Sequence, residues 1–153
     1  MKAYEDEAEH IYAVTLSSEL SGSYNSAVLG KNLYLEEHPE KKIHVFNSKS
    51  ASGGESLIAM KIIECENKGL SFEEVISTVD EYIEEMSTFF VLENLETLRK
   101  NGRLSRVKAL VASALKIKPV MGSTPEGNIC QLDQARGMNK AIVKMVNHIG
   151  EKG

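Results

Sequence analysis

Two periods of apolar residues run through the chain, and they divide it into strands and helices. Ile11-Tyr12-Ala13-Val14-Thr15-Leu16 is a short apolar run of the kind that forms a buried strand. A polar turn, Ser17 to Gly22, separates it from a helix expected between Ser23 and about Glu37. Tyr24, Ala27, Val28 and Leu35 would form the inner face of that helix, and Ser21 or Ser23 could cap its first turn. His38-Pro39 ends it, because the residue before a proline is pushed out of the helical region. Ile43-His44-Val45-Phe46 is a second short strand, followed by the serine- and glycine-rich turn Asn47 to Gly54. A helix from about Glu55 to Asn67 comes next, with Gly69 placed to terminate it. Ser71 then caps a helix from Phe72 to Met86 whose inner stripe is Phe72, Val75, Ile76, Val79, Ile83 and Met86. Strand, helix, strand, helix is the order of a parallel βαβ unit, and the crossover rule puts both strands in one sheet pointing the same way.

Beyond Met86 the pattern changes. Thr88 to Leu92 is a strand candidate, Asn94 to Lys100 a short helix ended by Asn101-Gly102, and Leu104 to Leu115 a further helix. Ile117 to Met121 runs into the turn Gly122 to Gly127, and Asn128 to Gln134 returns as a strand to make a hairpin. A last helix, from Gly137 to about Ile149, carries Met138, Ala141, Ile142, Met145, Val146 and Ile149 on one face. The fold class expected is therefore α/β: a parallel βαβ unit over residues 1–86 and a second, α+β unit over 87–153.

Charge sharpens this division. Residues 1–86 hold 17 acidic and 7 basic side chains, a balance of -10, whereas 87–153 hold 5 acidic and 11 basic, a balance of +6; together they give the net -4. With 153 residues, 42% apolar and 26% charged, the composition is that of a globular protein, and no apolar run is long enough to span a membrane. The polar, acidic stretch Met1 to His10 is neither a secretory signal nor a transit peptide, so a cytoplasmic location is expected. Cys65 and Cys130 match no metal-ligand spacing, and His10, His38, His44 and His148 stand singly. No metal site and no cofactor is expected.

The candidate chemistry lies in Thr15 to Ser26, where six Ser/Thr residues fall within twelve positions between a strand and a helix. A helix N-terminus offers unpaired N–H groups and partial positive charge. Serine hydroxyls can donate to an oxyanion without adding a formal charge. Gly22 would let the backbone come close to a ligand. Ser17, Ser18, Ser21, Gly22 and Ser23 therefore form a candidate cradle for a carboxylate or phosphate, although all are also ordinary turn and cap residues. Ser48 to Gly54 also follows a strand and precedes a helix, so with parallel strands both loops would reach the carboxyl edge, where open α/β sheets bind ligands.

Several activities lack their motifs. There is no G-x-S-x-G elbow, no G-x-x-x-x-G-K-[ST] loop and no G-x-G-x-x-G fingerprint. The basic residues Arg99, Lys100, Arg103, Arg106 and Lys108 crowd one turn, and with Arg136 they could dock an anionic surface. A nucleic-acid binder is disfavoured, since the chain has no Trp, no interleaving of aromatic and basic residues, and an acidic pI near 5.6. A small-molecule phosphate-binding enzyme built on the serine loop is the remaining alternative.

Ser17-Ser18-Glu19-Leu20-Ser21-Gly22-Ser23-Tyr24-Asn25-Ser26 resembles the S-S-x-L-S-G-T-Y-x-S motif of the bacterial DegV-like family. The resemblance continues through Val45 to Ser52, Phe90 to Ser105, Ile117 to Val120 and Ala135 to Gly137, in the family's order. It implies a two-domain α/β lipid-binding protein that is not itself an enzyme. A long-chain fatty acid would be bound, with its carboxylate on Ser18, or on Ser17 as the alternative. The partner implied is the catalytic subunit of fatty acid kinase, which would convert the bound carboxylate to an acyl phosphate. Arg103 and Arg136 would be the residues that dock it. Ser23 stands where the family has threonine, and Asn47 where it has aspartate. The family's D-S-T-A-D and T-S-Q-P segments and its C-terminal histidine have no counterpart in these 153 residues, so the match is to the family's middle portion. Apolar faces left uncovered in such a shortened chain would favour self-association.

Overall fold

The computed structural model describes residues 8–103 and 117–152; the helix expected over Leu104 to Leu115, with Arg106 and Lys108, lies outside them. The chain divides into two compact units, residues 1–86 and 87–153. The first contains β1 (His10–Thr15), α1 (Ser23–Glu37), β2 (Lys42–Asn47), α2 (Gly53–Asn67) and α3 (Phe72–Glu85). The second contains β3 (Phe89–Val91), α4 (Glu96–Lys100), β4 (Ile117–Ser123), β5 (Ile129–Arg136) and α5 (Met138–Lys152). The fold is α/β, with a parallel β1-α1-β2 unit followed by an antiparallel three-stranded sheet and its helices.

β1 and β2 pair in parallel from His10↔Lys42 to Thr15↔Asn47, as the crossover rule requires. Side chains alternate across the sheet. Tyr12, Val14 and Phe46 face α2 and α3, where Phe46, Ile58, Ile62, Cys65, Val75, Val79 and Ile83 make the buried core. Ile43 and Val45, also buried, point to the other face, against which α1 lies. Full burial of each such aliphatic side chain stabilises by about 1.5–3 kcal/mol.

The helix ends follow from local chemistry. Ser71 and Glu74 form a capping box on α3: Ser71 Oγ accepts from the Glu74 N–H at 3.3 Å, and the Glu74 carboxylate accepts from the Ser71 N–H at 2.8 Å. At the end of α2, Gly69 has φ +72, its N–H reaches the Glu66 carbonyl, and the Leu70 N–H reaches that of Cys65. That is a Schellman termination, and its left-handed residue is the glycine expected there.

Not every apolar residue is covered, although the expected α1 face of Tyr24, Ala27, Val28 and Leu35 is half-buried. α1 buries no residue completely, and Leu29 (60% exposed) and Leu33 (55%) lie outward. On α5 only Ala141 of the expected stripe is buried; Met138 and Met145 are half-buried, while Ile142, Val146 and Ile149 are exposed. In the second unit β3-β4-β5 is antiparallel throughout, with a bulge beside Val120/Met121 that slips the pairing by one residue near Leu132. Lys144 ties α5 to β5 through Asp133 at 2.8 Å.

At the start of β1, Tyr12 Oη donates to Glu66 Oε1 at 2.6 Å and His10 Nδ1 lies 2.8 Å from the same oxygen. The Tyr12 bond first, and His10 after it, hold the Glu66 carboxyl below its ordinary 4.5, while burial and that carboxylate push the Tyr12 phenol well above 10.0. A carboxyl whose pKa is depressed on folding contributes stability above its unfolded value and loses it as the pH falls through the folded value. Tyr12→Phe should therefore cost about 1 kcal/mol at neutral pH, the Glu66 side chain being partly exposed, and less in acid below the folded Glu66 value. Urea denaturation at neutral and acid pH measures this; an equal loss at both would show that the Glu66 charge is not involved.

Candidate functional site

The β1–β2 ladder does not stop at its last paired residues. The Ser48 N–H donates to the Thr15 carbonyl at 3.2 Å and the Ser17 N–H to the Ser50 carbonyl at 2.9 Å, so the loops that leave the two strands continue side by side. Both serine-rich segments thus lie at the carboxyl edge of the parallel pair, as the topology predicts.

The candidate residues occupy distinct places in this junction. Ser17 is fully buried and holds its own loop: its Oγ accepts from the Glu19 N–H at 3.3 Å, and its carbonyl from the N–H groups of Leu20 and Ser21. Ser18 is half-buried and turned toward the second loop. Its N–H donates to Asn47 Oδ1 at 3.0 Å, and its Oγ accepts from Asn47 Nδ2 at 2.8 Å. Ser21 is half-buried, while Gly22 and Ser23 are exposed.

The cap of α1 differs from the expectation of a serine. Gly22 is the N-cap residue, and no side chain bonds into the first turn from it; the Ser21 hydroxyl instead accepts from the Ser23 N–H at 3.2 Å. The turn places Ser21 just outside the helix and its Oγ two residues back from the N–H it accepts. Gly22 has φ -74, and a Cβ there would meet nothing within 4 Å, so the unit's own backbone does not require glycine at this position. α1 has no acidic residue in its first turn, which leaves the positive end of its dipole uncompensated by its own sequence.

The second loop is the more constrained. Ser48 is fully buried, and its Oγ donates to the Ser50 carbonyl at 3.0 Å while accepting from the Ser50 N–H at 3.1 Å. Lys49 (φ +50) and Ser52 (φ +55) are the non-glycine residues in the left-handed region among those described, and both fall in this loop. Such backbone costs on the order of 1–3 kcal/mol per residue and persists only where the surroundings impose it. Here the imposing groups are visible: Asn47 Oδ1 also accepts from the Lys49 N–H, Lys49 Nζ pairs with Glu84, and the Ser52 N–H donates to Glu55 Oε1. Gly54 was not singled out in the sequence, yet a Cβ there would stand 2.2 Å from Ser50 Oγ and 2.7 Å from Ser50 Cβ. The Gly53-Gly54 pair directly after a serine run was the available signal.

In the second unit Arg103 is exposed and its Nη1 donates to the Asn101 carbonyl at 2.6 Å; Arg136 is exposed at the end of β5, paired in register with Ile117. Of the neighbouring basic residues, Lys100 is bridged to Glu96 along α4. Among the described residues no group of His, Cys, Asp and Glu is arranged to hold a metal ion, and no helix is long and apolar enough to cross a membrane.

Parallel strands that deliver two hydroxyl-rich loops to one sheet edge define an α/β protein, here with a parallel β1-α1-β2 unit followed by an antiparallel sheet. More particularly, the chain belongs to the DegV family: the family model, described as "Uncharacterised protein, DegV family", matches residues 1–153. A DegV domain-containing protein of Streptococcus pneumoniae (strain ATCC BAA-255 / R6) is 40% identical over 153 residues, which are 100% of this chain and 54% of that protein. A crystal structure of a DegV family protein from Ruminococcus gnavus, refined with vaccenic acid, is 63% identical with a TM-score of 0.92, over 99% of this chain and 54% of that one. The Streptococcus pneumoniae Fatty Acid Kinase (Fak) B3 protein loaded with linoleic acid is 38% identical with a TM-score of 0.87, again over 99% and 54%. The chain thus spans about half the length of the relatives it matches.

Because Gly54 is closed in by Ser50, Gly54→Ala should displace the second loop and destabilise the protein by about 1–3 kcal/mol, the usual cost of overpacking. Chemical denaturation reads this directly. A variant as stable as the parent would mean that Ser50 can move aside and that the loop is less tightly set than its geometry indicates.

Proposed function

We propose that this chain supplies the head-group end of a long-chain fatty acid binding site, with Ser18 as the residue that holds the carboxylate, and that it presents the carboxylate to a separate kinase subunit for conversion to an acyl phosphate. The observation that carries this is the 63% identity to a solved DegV family protein refined with vaccenic acid, over 99% of the chain. The name of the Fak B3 relative supports a kinase as the partner. On this basis the polypeptide binds and does not catalyse, it acts in the cytoplasm, and Arg103 and Arg136 are the residues that meet the partner. Ser21, Gly22 and Ser23 shape the loop behind Ser18, while Ser17 anchors it from within the fold.

A carboxylate suits the junction better than a phosphate dianion does. Lys49 is the cation on the second loop, and its ammonium is paired with Glu84, so its charge is already compensated. What the loops can offer is neutral donors, sufficient for one carboxylate charge and weak for two. The fatty acid tail needs apolar surface, worth about 0.8 kcal/mol per buried CH₂.

Native mass spectrometry of the protein as purified, with extraction of any lipid, tests the proposal. A stoichiometric fatty acid is the expected result, and Ser18→Ala should then weaken its affinity by about 1.5–3 kcal/mol, the range for a hydrogen bond to a charged group. Unchanged affinity in that variant would move the carboxylate away from Ser18.

The apolar side chains on the outer faces of α1 and α2 (Leu29, Leu33, Leu57, Met60, Ile63) and of α5 (Ile142, Val143, Val146, Ile149) are also the surfaces on which copies of this chain would associate. Light scattering of the 153-residue polypeptide at micromolar concentration should give a mass above the monomer's 16.9 kDa. A monomeric mass would count against self-association.

A further inference from the structure

We infer that Lys49 is a positioning residue for the head-group site: its side chain, anchored to Glu84 on α3, holds the left-handed turn that ties the second serine loop to Ser17 and Ser18. The identity of the ligand rests on the fatty acid proposal above; the brace does not.

The two loops are joined on either side of Lys49. Before it, Asn47 Oδ1 accepts from the N–H groups of Ser18 at 3.0 Å and of Lys49 at 3.3 Å, so one oxygen binds the first loop to the second. After it, the Ser50 carbonyl accepts from the Ser17 N–H at 2.9 Å and from the Ser48 hydroxyl at 3.0 Å. Ser17, Ser48 and Ser50 are all buried, so these attachments are shielded from water. The φ of Lys49, +50, is a rotation between them. If it relaxed to the negative values that L-residues prefer, the Asn47 oxygen and the Ser50 carbonyl could not both keep their bonds to the first loop. The placement of Ser18 therefore depends on one backbone angle in the other loop.

Glycine would adopt that angle freely, whereas the Cβ of a lysine crowds its own backbone there. What lysine adds is reach: its ammonium pairs with Glu84, 35 residues later in the chain. The Lys49 side chain is 29% exposed and that of Glu84 61%, and so open an ion pair contributes little to global stability. Its effect is local, because it has only to tip one dihedral, and a several-fold preference is enough for that. As an incidental surface contact the pair would have no consequence for the first loop, and removing the Glu84 charge would leave Ser17 and Ser18 as they are. The argument holds equally with aspartate at position 47, since a carboxylate oxygen accepts from both N–H groups as the amide oxygen does.

Two measurements on the whole chain test this. Lys49→Met and Lys49→Gly both remove the ammonium, and they differ in whether the backbone can keep a positive φ without it. In the first measurement, hydrogen exchange of the Ser17 and Ser18 amides is followed by nitrogen-15 NMR. Exchange should be about fivefold faster than in the parent for Glu84→Gln and for Lys49→Met, and adding Lys49→Gly to Glu84→Gln should bring it back to within about twofold. Amides that do not respond to Glu84→Gln overturn the inference. In the second, affinity for oleate is measured in the same variants and in Lys49→Gly alone. Glu84→Gln and Lys49→Met should weaken it about threefold to fivefold, and Lys49→Gly should rescue the Glu84→Gln loss. A loss in Lys49→Gly as large as that in Lys49→Met would mean that the ammonium itself draws the carboxylate, and that also overturns the inference. If the amides respond and glycine rescues them but the parent takes up no oleate, the fatty acid proposal falls and the positioning of a carboxylate with it, while the brace between α3 and the two loops stands supported.

Discussion

Thr15 and Asn47 face each other on the last rung of the β1–β2 ladder, and the geometry of both serine loops depends on that rung. A slip of one residue in a parallel pair would send every side chain of β2 to the opposite face. Asn47 would then turn away from Ser18, and the bonds from Ser48 to Thr15 and from Ser17 to Ser50 could not form where they do. The register is held from both sides of the sheet. Phe46 is packed into the core with Tyr12 and Val14 beside it, Ile43 and Val45 are buried on the other face, and the Thr15 hydroxyl donates to the Phe46 carbonyl at 3.2 Å. Apolar burial in the core therefore sets where Asn47 and Ser18 meet at the sheet edge.

The elements themselves were legible because their signals are local. The α3 stripe has its apolar residues three and four apart, and Val75, Val79 and Ile83 are buried as that spacing predicts. Gly69 could be placed as a helix terminator from one residue and its neighbours. What the sequence could not supply were partners distant along the chain. His10 stood alone on the page, yet it lies on Glu66, 56 residues later. Asn47 was readable as a missing charge near the second loop, whereas its Nδ2 donates to Ser18 Oγ, 29 residues before it. The α1 cap failed for the opposite reason: three adjacent small polar residues are all competent caps, and the turn that precedes them decides which one occupies the position.

Periodicity also says which residues share a face without saying what covers it. Leu29 and Leu33 on α1 and Ile142, Val146 and Ile149 on α5 have helical spacing as regular as that of many core residues, yet they are exposed. α1 differs from α3 in that its apolar residues are spread around the helix, so whichever side meets the sheet leaves others outward. On α5 the stripe is well formed, and only its Ala141 edge is fully covered by the three-stranded sheet. A shared face is a property of the sequence; burial is a property of everything packed against it.

A neutral head-group site is consistent with the proposed chemistry in a way that a cationic one would not be. A carboxylate clamped by an arginine or a free lysine is bound tightly, but its lone pairs are drawn into the ion pair and it becomes a poorer nucleophile. At the loops described here Lys49 is engaged by Glu84, and the donor on which the proposal relies is the neutral Ser18 hydroxyl. Such a donor can fix the position of a carboxylate at modest cost to its reactivity, because a hydrogen bond from a neutral group is roughly half as strong as one from a charged group. Affinity must then come mainly from the apolar tail, at about 0.8 kcal/mol per buried CH₂, so binding and reactivity are assigned to different ends of the same ligand.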